Sequence, residues 1–414
     1  MVIILTRRFE YIISIVLLNT NVPFGPFMEG VNICAYARTP VGKFRGSLSK
    51  YSATELGTMV IKEIFKRSNI DPKNNFIDQV YMGQVLQAGV GQAPARQAAL
   101  NAGMPFQTPC TTINKVCGSS LKAVMIGATE IRSKMADLII AGGMESMSNA
   151  PYFIRKPSKE SSFNFSDLES ILSNDGLKDA YSGEMMGNTG ETVAKDFNIT
   201  REKSDEFAVK SHFLANNAWN QGWLNSETFE VNGIIEDEGI RPGTNMERLS
   251  NLRTIFNIDG QVTAGNASQL SDGASAVLIA SNEAVEKHNL PVIARIIDYV
   301  TSGVAPEKVM SAPIYAVEML LNRNSLKIED IDILEHNEAF AAASCAVQKE
   351  LNIPEEKFNP HGGAVAIGHP LGATGTRCLM TLVNALERTA GKLGIVTICL
   401  GGGNAVAMLI DRNF

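Results

Sequence analysis

Apolar positions recur at helical spacing in residues 54–66, where Leu56, Met59, Val60 and Ile64 share one face. That pattern predicts an amphipathic helix. Residues 78–85 read as a strand running into a loop with Gly89 and Gly91. Two longer units then repeat one layout. The first starts at Asn114, continues as a helix with Leu121, Val124, Ala128 and Ile131 on one face, and ends in a strand at 138–141 followed by Gly142-Gly143. The second starts at Gly368, continues as a helix with Leu379, Met380, Val383 and Leu386 apolar, and ends in a strand at 395–399 followed by Gly401-Gly402-Gly403. Loop, buried helix, strand and glycine cluster occur twice in the same order, which predicts an α/β fold with duplicated halves.

Residues 150–265 break that pattern. The stretch 155–176 is polar and rich in serine, 200–222 predicts a strongly charged helix, and 233–250 mixes Gly, Pro and charges. We read this segment as an insertion packed over the core, where substrate-contacting loops are often carried. The expected division is an N-terminal extension at 1–30, a first half at 31–295 that includes the insertion, and a second half at 296–414.

Composition narrows the function. With 414 residues, 45% of them hydrophobic, the chain can bury a substantial core. A net charge of −6 argues against bulk nucleic-acid binding, although an acidic protein can still hold an anionic ligand at a locally positive site. The six cysteines, Cys34, Cys110, Cys117, Cys345, Cys378 and Cys399, form no short-spaced framework and read as reduced thiols. Arg7 and Arg8 precede an apolar run at 11–18 that is too short to span a bilayer. That run suits either a targeting segment or an extension ahead of a start at Met28. Its acidic Glu10 and few serines fit a transit peptide poorly, and the C-terminus carries no peroxisomal tripeptide. Cytoplasmic residence is therefore expected, with mitochondria as the alternative.

Four positions could carry chemistry. Cys117 sits where a loop enters a helix, so free N–H groups should lower its pKa and raise its nucleophilicity, and Gly118 should let substrate approach the backbone. His369, between glycines in an apolar stretch, could serve as a base for a thiol. Cys399 runs into three glycines whose N–H groups could line an oxyanion hole or simply form a tight turn. Asn337 lies at the end of an apolar strand and could equally cap a helix.

Together these residues resemble one family, the thiolases. The segment Asn114-Lys115-Val116-Cys117-Gly118-Ser119-Ser120 is similar to the family's nucleophile motif. Gly142-Gly143-Met144-Glu145-Ser146, Thr263-Ala264-Gly265-Asn266-Ala267-Ser268, Asn337-Glu338-Ala339-Phe340, Gly368-His369-Pro370 and Cys399-Leu400-Gly401-Gly402-Gly403 follow in the family's order, from about residue 31 to the C-terminus. The resemblance implies a thiolase fold, with layered mixed sheets around buried helices and an inserted loop domain, assembled as a homodimer or homotetramer. It implies coenzyme A thioesters as substrates, no permanently bound cofactor or metal, and no membrane or nucleic-acid partner. The implied reaction is reversible condensation of two acetyl-CoA to acetoacetyl-CoA and CoA.

The resemblance also implies roles. Cys117 carries the acyl group, His369 takes its proton, and Cys399 acts on the methyl of the second acetyl group. Asn337 and His369 serve one oxyanion hole, and the N–H groups of Cys117 and Gly401 serve the other. Ser268 and Arg241 contact the coenzyme, and Met186 and Phe340 line the acyl pocket. Met185 stands where biosynthetic members have His, and His361 where Asn is frequent. A ketoacyl-ACP synthase is disfavoured by the second cysteine in Cys-x-Gly-Gly-Gly. A non-catalytic lipid-binding relative is disfavoured by retention of Cys117, His369 and Cys399. A thiolase acting on longer 3-ketoacyl-CoA chains remains the alternative.

Overall fold

The computed structural model describes residues 30–73, 77–155 and 165–413. The apolar run and arginines read within 1–27 lie outside them. Strand Ser271–Ala280 shows how the layers are specified. Val277 and Ile279 point into one buried cluster, while Ala276, Leu278 and Ala280 point into another. Strand Asn404–Asp411 splits the same way, with Val406, Met408 and Ile410 inward and Ala405, Ala407 and Leu409 outward. A strand buried on both faces has no polar side, so it reads as a continuous apolar run.

Five layers follow. Helices Ala53–Ser68 and Pro94–Asn101 cover the outer face of the first half's strands. Helices Ala312–Arg323 and Ala341–Glu350 cover that of the second. Between the two sets of strands lie the central helices Ser119–Arg132 and Thr374–Thr389, which pack on each other in the largest cluster. A Cβ on Gly375 would strike the backbone of Leu121, so this glycine permits the close crossing. The helix expected at 54–66 is Ala53–Ser68, held at its start by a capping box between Ser52 and Glu55.

The strands of the two halves are not separate sheets. Val31, Asn32 and Ile33 pair with Ile296, Arg295 and Ala294, which joins them into one ten-stranded mixed sheet. The boundary expected at 295/296 falls within strand Ala294–Gly303, on this seam. The segment read as an insertion packs over the core through helices Gly187–Asp196 and Arg201–Asn220. A buried ion network bolts it down. Arg38 donates to Glu227 at 2.7 Å and to both oxygens of Asp237 at 2.7 and 2.9 Å, and the Trp219 indole donates to Asp237 at 3.1 Å. Breaking one member of such a pair strands an uncompensated charge.

Candidate active site

Cys117 lies in a bent loop. Val116 before it has φ 46°, and Gly118 after it caps helix Ser119–Arg132 with no side-chain bond. Gly118 is required for packing, whatever its part in substrate approach. A Cβ there would lie 2.5 Å from Leu400 Cδ2. The expected low thiol pKa is also corrected. Burial pushes the Cys117 thiol up to about 12, and Glu145 adds to the rise. The N–H groups of Cys117 and Gly401 act on the sulfur in the opposite sense but do not offset burial. Desolvation therefore outweighs the helix terminus, and Cys117 rests as a neutral thiol.

His369 is buried, and burial followed by the Arg377 charge lowers its pKa to about 3. Its Nδ1 lies 2.6 Å from Thr374 Oγ1, and that hydroxyl donates to the Pro370 carbonyl at 2.9 Å. The hydroxyl must then accept from Nδ1–H, which leaves Nε2 as the free base. Asn337 Nδ2 lies 3.4 Å from that Nε2. The His369 main-chain N–H donates to the Gln269 carbonyl at 3.0 Å and to Ser271 Oγ at 3.2 Å, so the ring hangs from the loop that holds Ser268. Asn337 is not a helix cap. Phe340 begins helix Ala341–Glu350, and Asn337 is fixed by its N–H donating to the Thr397 carbonyl at 3.1 Å.

Cys399 is buried near the end of strand Leu393–Leu400, its sulfur 3.7 Å from Met310 Sδ. Burial raises its thiol pKa, and a thiolate at Cys117 would raise it further, so the two sulfurs are electrostatic neighbours. Past Cys399, Gly402 and Gly403 both have φ 85°, and a Cβ on Gly403 would strike the Val304 carbonyl. Gly401 faces Val116 with room for a Cβ at 3.5 Å and presents its N–H to Cys117.

A cavity of about 400 Å³ opens beside His369. His369, Ser268, Met186 and Phe340 line it, with Met185 and Phe256. One wall, including Met147 and Leu371, belongs to the apolar cluster against which Cys117 packs. The other wall, Met186 and Phe340, belongs to the cluster that holds Cys399. Phe256 meets Phe340 edge-on at 6.5 Å. Arg241 does not line this cavity. It is exposed, and its main-chain N–H donates to His212 Nδ1 at 3.1 Å. Among the described residues no cluster of three or more His, Cys, Asp or Glu could hold a metal ion.

Sequence reasoning passed over Thr374 and Met310, which touch His369 and Cys399. Thr374 carried one available signal, a hydroxyl five residues after a histidine in an otherwise apolar turn. It also left Glu145 without a role, although a carboxylate inside a nine-residue buried strand is rarely idle.

Comparison with known proteins accounts for the layout. The family model described as Thiolase, N-terminal domain matches residues 31–283, and that described as Thiolase, C-terminal domain matches 290–412. An acetyl-CoA acetyltransferase of Pseudomonas aeruginosa is 42% identical over 395 residues, covering 93% of this chain and 100% of the relative. A mitochondrial acetyl-CoA acetyltransferase of Rattus norvegicus is 40% identical over 396 residues, covering 94% and 92%. Among solved structures, an Ascaris suum thiolase in complex with coenzyme A superposes with TM-score 0.87 at 39% identity over 92% of this chain and 100% of that one. Human mitochondrial 3-ketoacyl-CoA thiolase in complex with CoA gives 0.89 at 37% identity over 94% and 99%. Both family models together span nearly the whole described fold, so this chain belongs to the thiolase family of acyltransferases.

Proposed function

We propose that this protein is an acetyl-CoA C-acetyltransferase, joining two acetyl-CoA into acetoacetyl-CoA and CoA and catalysing the reverse thiolysis. The observation that carries this reading is one apolar cavity that His369 lines and whose two walls belong to the clusters holding Cys117 and Cys399. A neutral Cys117 thiol lies beside the N–H groups of Cys117 and Gly401, His369 presents a free Nε2, and Cys399 stands behind Met186 and Phe340.

In the first half-reaction Cys117 Sγ attacks the thioester carbonyl of acetyl-CoA while its proton passes to His369 Nε2. The developing oxyanion is held by the Cys117 and Gly401 N–H groups. CoA leaves with the proton returned from His369, and acetyl-Cys117 remains. In the second, Cys399 gives its thiol proton to His369 Nε2, and the resulting thiolate takes a proton from the methyl of a second acetyl-CoA. A methyl beside a thioester is a very weak acid, so its enolate oxygen must be stabilised, here by the Nε2–H that His369 has just gained and by Asn337. The carbanion attacks acetyl-Cys117, the C–C bond forms, Cys117 departs with the proton from Cys399, and His369 Nε2 returns its proton to the Cys399 thiolate.

Met186, Phe340 and the edge of Phe256 support a short acyl group. Met185, in place of the His usual in biosynthetic members, favours the second reading, a thiolase for longer 3-ketoacyl-CoA. Assay of acetoacetyl-CoA against 3-ketoacyl-CoA chains of eight or more carbons tests the two. The highest kcat/KM is expected on acetoacetyl-CoA, and a clear preference for the long chains overturns the assignment.

Coenzyme contacts at Ser268 and Arg241 belong to the same reading, as does assembly into a homodimer or homotetramer. The exposed Tyr152, 64% accessible and part of the paired strands Tyr152–Phe153 and Glu169–Ser170, supports assembly. Sedimentation as a monomer at micromolar concentration would remove that part. Residence in the cytoplasm is proposed from the composition of residues 1–27, and mitochondrial import of the full chain with a C-terminal fluorescent tag would refute it.

A further inference from the structure

One buried charge beneath the site has no part in that mechanism. Glu145 is fully buried on strand Leu138–Ser146. Its Oε2 accepts from the N–H of Val85 at 3.0 Å and of Gly372 at 2.9 Å, and its Oε1 accepts from the N–H of Leu86 at 3.2 Å. Both neighbouring segments serve the reacting groups. Val85 and Leu86 belong to the cluster against which Cys117 packs, and Gly372 closes the turn that begins at His369. The fit leaves no slack, because a Cβ on Gly143 would strike the Gly372 carbonyl and one on Gly372 would lie 3.0 Å from Glu145 Oε2. The titratable groups that act on this carboxylate or feel it are Asp272, on strand Ser271–Ala280, and Cys117. The turn brings His369 as a neutral ring.

We infer that Glu145 is a positioning residue with two effects: its carboxylate pins the His369 turn and the Val85-Leu86 loop to one strand, and its negative charge adds to the burial that keeps Cys117 a thiol. Three N–H donors converging on one carboxylate fix geometry from segments 60 and 227 residues away in sequence. A fixed charge near a thiol disfavours the thiolate. A nucleophile kept protonated is spared oxidation and alkylation, since the thiolate is the reactive form. Burial raises the Glu145 carboxyl to about 7, against the pull of its three N–H partners, so the charge is present above neutral pH and fades below it.

The inference rests on the reading of Cys117 and His369 as the reacting pair. Its test uses alkylation without any thioester, so the two can fail separately. Two variants divide the roles. Glu145→Asp keeps the charge but is too short for all three N–H groups. It should lose roughly tenfold in kcat with KM within about twofold, while Cys117 alkylates at the wild-type rate. Glu145→Gln keeps the length but not the charge, and its Nε2 cannot accept from an N–H, so the effect of charge is read from the pH dependence of its labelling. Iodoacetamide should label its Cys117 peptide about fivefold faster than wild type at pH 8.5, converging on the wild-type rate at pH 6. Wild type supplies a control that needs no folded variant. Its Cys117 alkylation should rise less steeply than about tenfold per pH unit around pH 7, where Glu145 ionises. An unchanged kcat in Glu145→Asp, an unchanged labelling rate in Glu145→Gln at pH 8.5, or a strictly tenfold rise per unit in wild type each overturns the proposal.

Discussion

The units at 114–143 and 368–403 share a layout, yet their glycines do opposite things. In the first, Gly142 and Gly143 vanish into packing. A Cβ on either would strike backbone, that of Ser275 or that of Gly372. In the second, Gly402 and Gly403 turn the chain at φ 85°, and Gly401 keeps free space beside it and offers its N–H to Cys117. One pair removes side chains so that backbones can touch, at Ser275 within the first half and at Gly372 across to the second. In the triplet Gly401 leaves a backbone donor facing Cys117, while Gly403 sits tight against the Val304 carbonyl. The reacting groups divide in the same way, with the nucleophile on the first unit and His369 and Cys399 on the second. A repeat visible in sequence therefore reports shared architecture and says little about shared chemistry.

The sharpest way to break this comparison is to separate the two cysteines. Cys117→Ala should abolish acylation by acetyl-CoA. Cys399→Ser should still form the acetyl-enzyme but lose condensation by roughly 10²-fold or more. Mass spectrometry after mixing with acetyl-CoA, alongside acetoacetyl-CoA formation, reads both. An unlabelled Cys399→Ser with a normally labelled Cys117→Ala would reverse the assignment.

The glycines come next. Gly143→Ala should cost about 3 kcal/mol of stability through a backbone clash that cannot relax, whereas Gly401→Ala should cost under about 1 kcal/mol. Denaturant midpoints of the two variants measure the difference, and equal losses would erase the distinction drawn here.

A smaller effect concerns the tautomer of His369. Thr374→Val keeps the shape of the helix start but removes the hydroxyl that accepts from Nδ1–H. The expected loss is roughly 30-fold in kcat with KM little changed. A matching rise in KM would mean that Thr374 shapes binding instead.

The smallest effect is acid sensitivity of the second half. His361, buried beside Arg388 and accepting from its Nε at 2.9 Å, has its pKa lowered to about 3, first by burial and then by Arg388. The unfolded chain binds this proton below about 6.5 and the folded one does not, so stability is present above that pH and lost as pH falls. Between pH 7.5 and 5.5, unfolding free energy should fall by about 1 kcal/mol less in His361→Asn than in wild type. Parallel pH profiles for the two proteins would exclude His361 as the source.

Much of the architecture was legible because periodicity is local. The helices at 53–68 and 201–220 and the strands at 138–146 and 393–400 follow from residues a few positions apart. Motif order brought the same cavity-lining residues into view, His369, Ser268, Met186 and Phe340. What stayed hidden depends on distance through space. Glu145 owes its contacts to Val85 and Gly372, and Arg38 to Glu227, and no spacing rule connects such pairs. The Cys117 pKa was misjudged for the same reason. A helix terminus can be read from sequence, but the depth of burial that outweighs it cannot.

The seam that joins the two halves also sets a timetable for synthesis. Strand Val31–Arg38 is among the first described segments to be made, and it lies between strands Ser271–Ala280 and Ala294–Gly303. Asn32 waits for Ala280 on one side and for Arg295 on the other. At about 5–20 residues per second, translation leaves that strand unpaired for tens of seconds. Its eight buried residues would be an adhesive edge throughout. Folding of the sheet is thus gated by ribosome transit, and slowing elongation before residue 295 should raise the yield of aggregated chains more than slowing it afterwards.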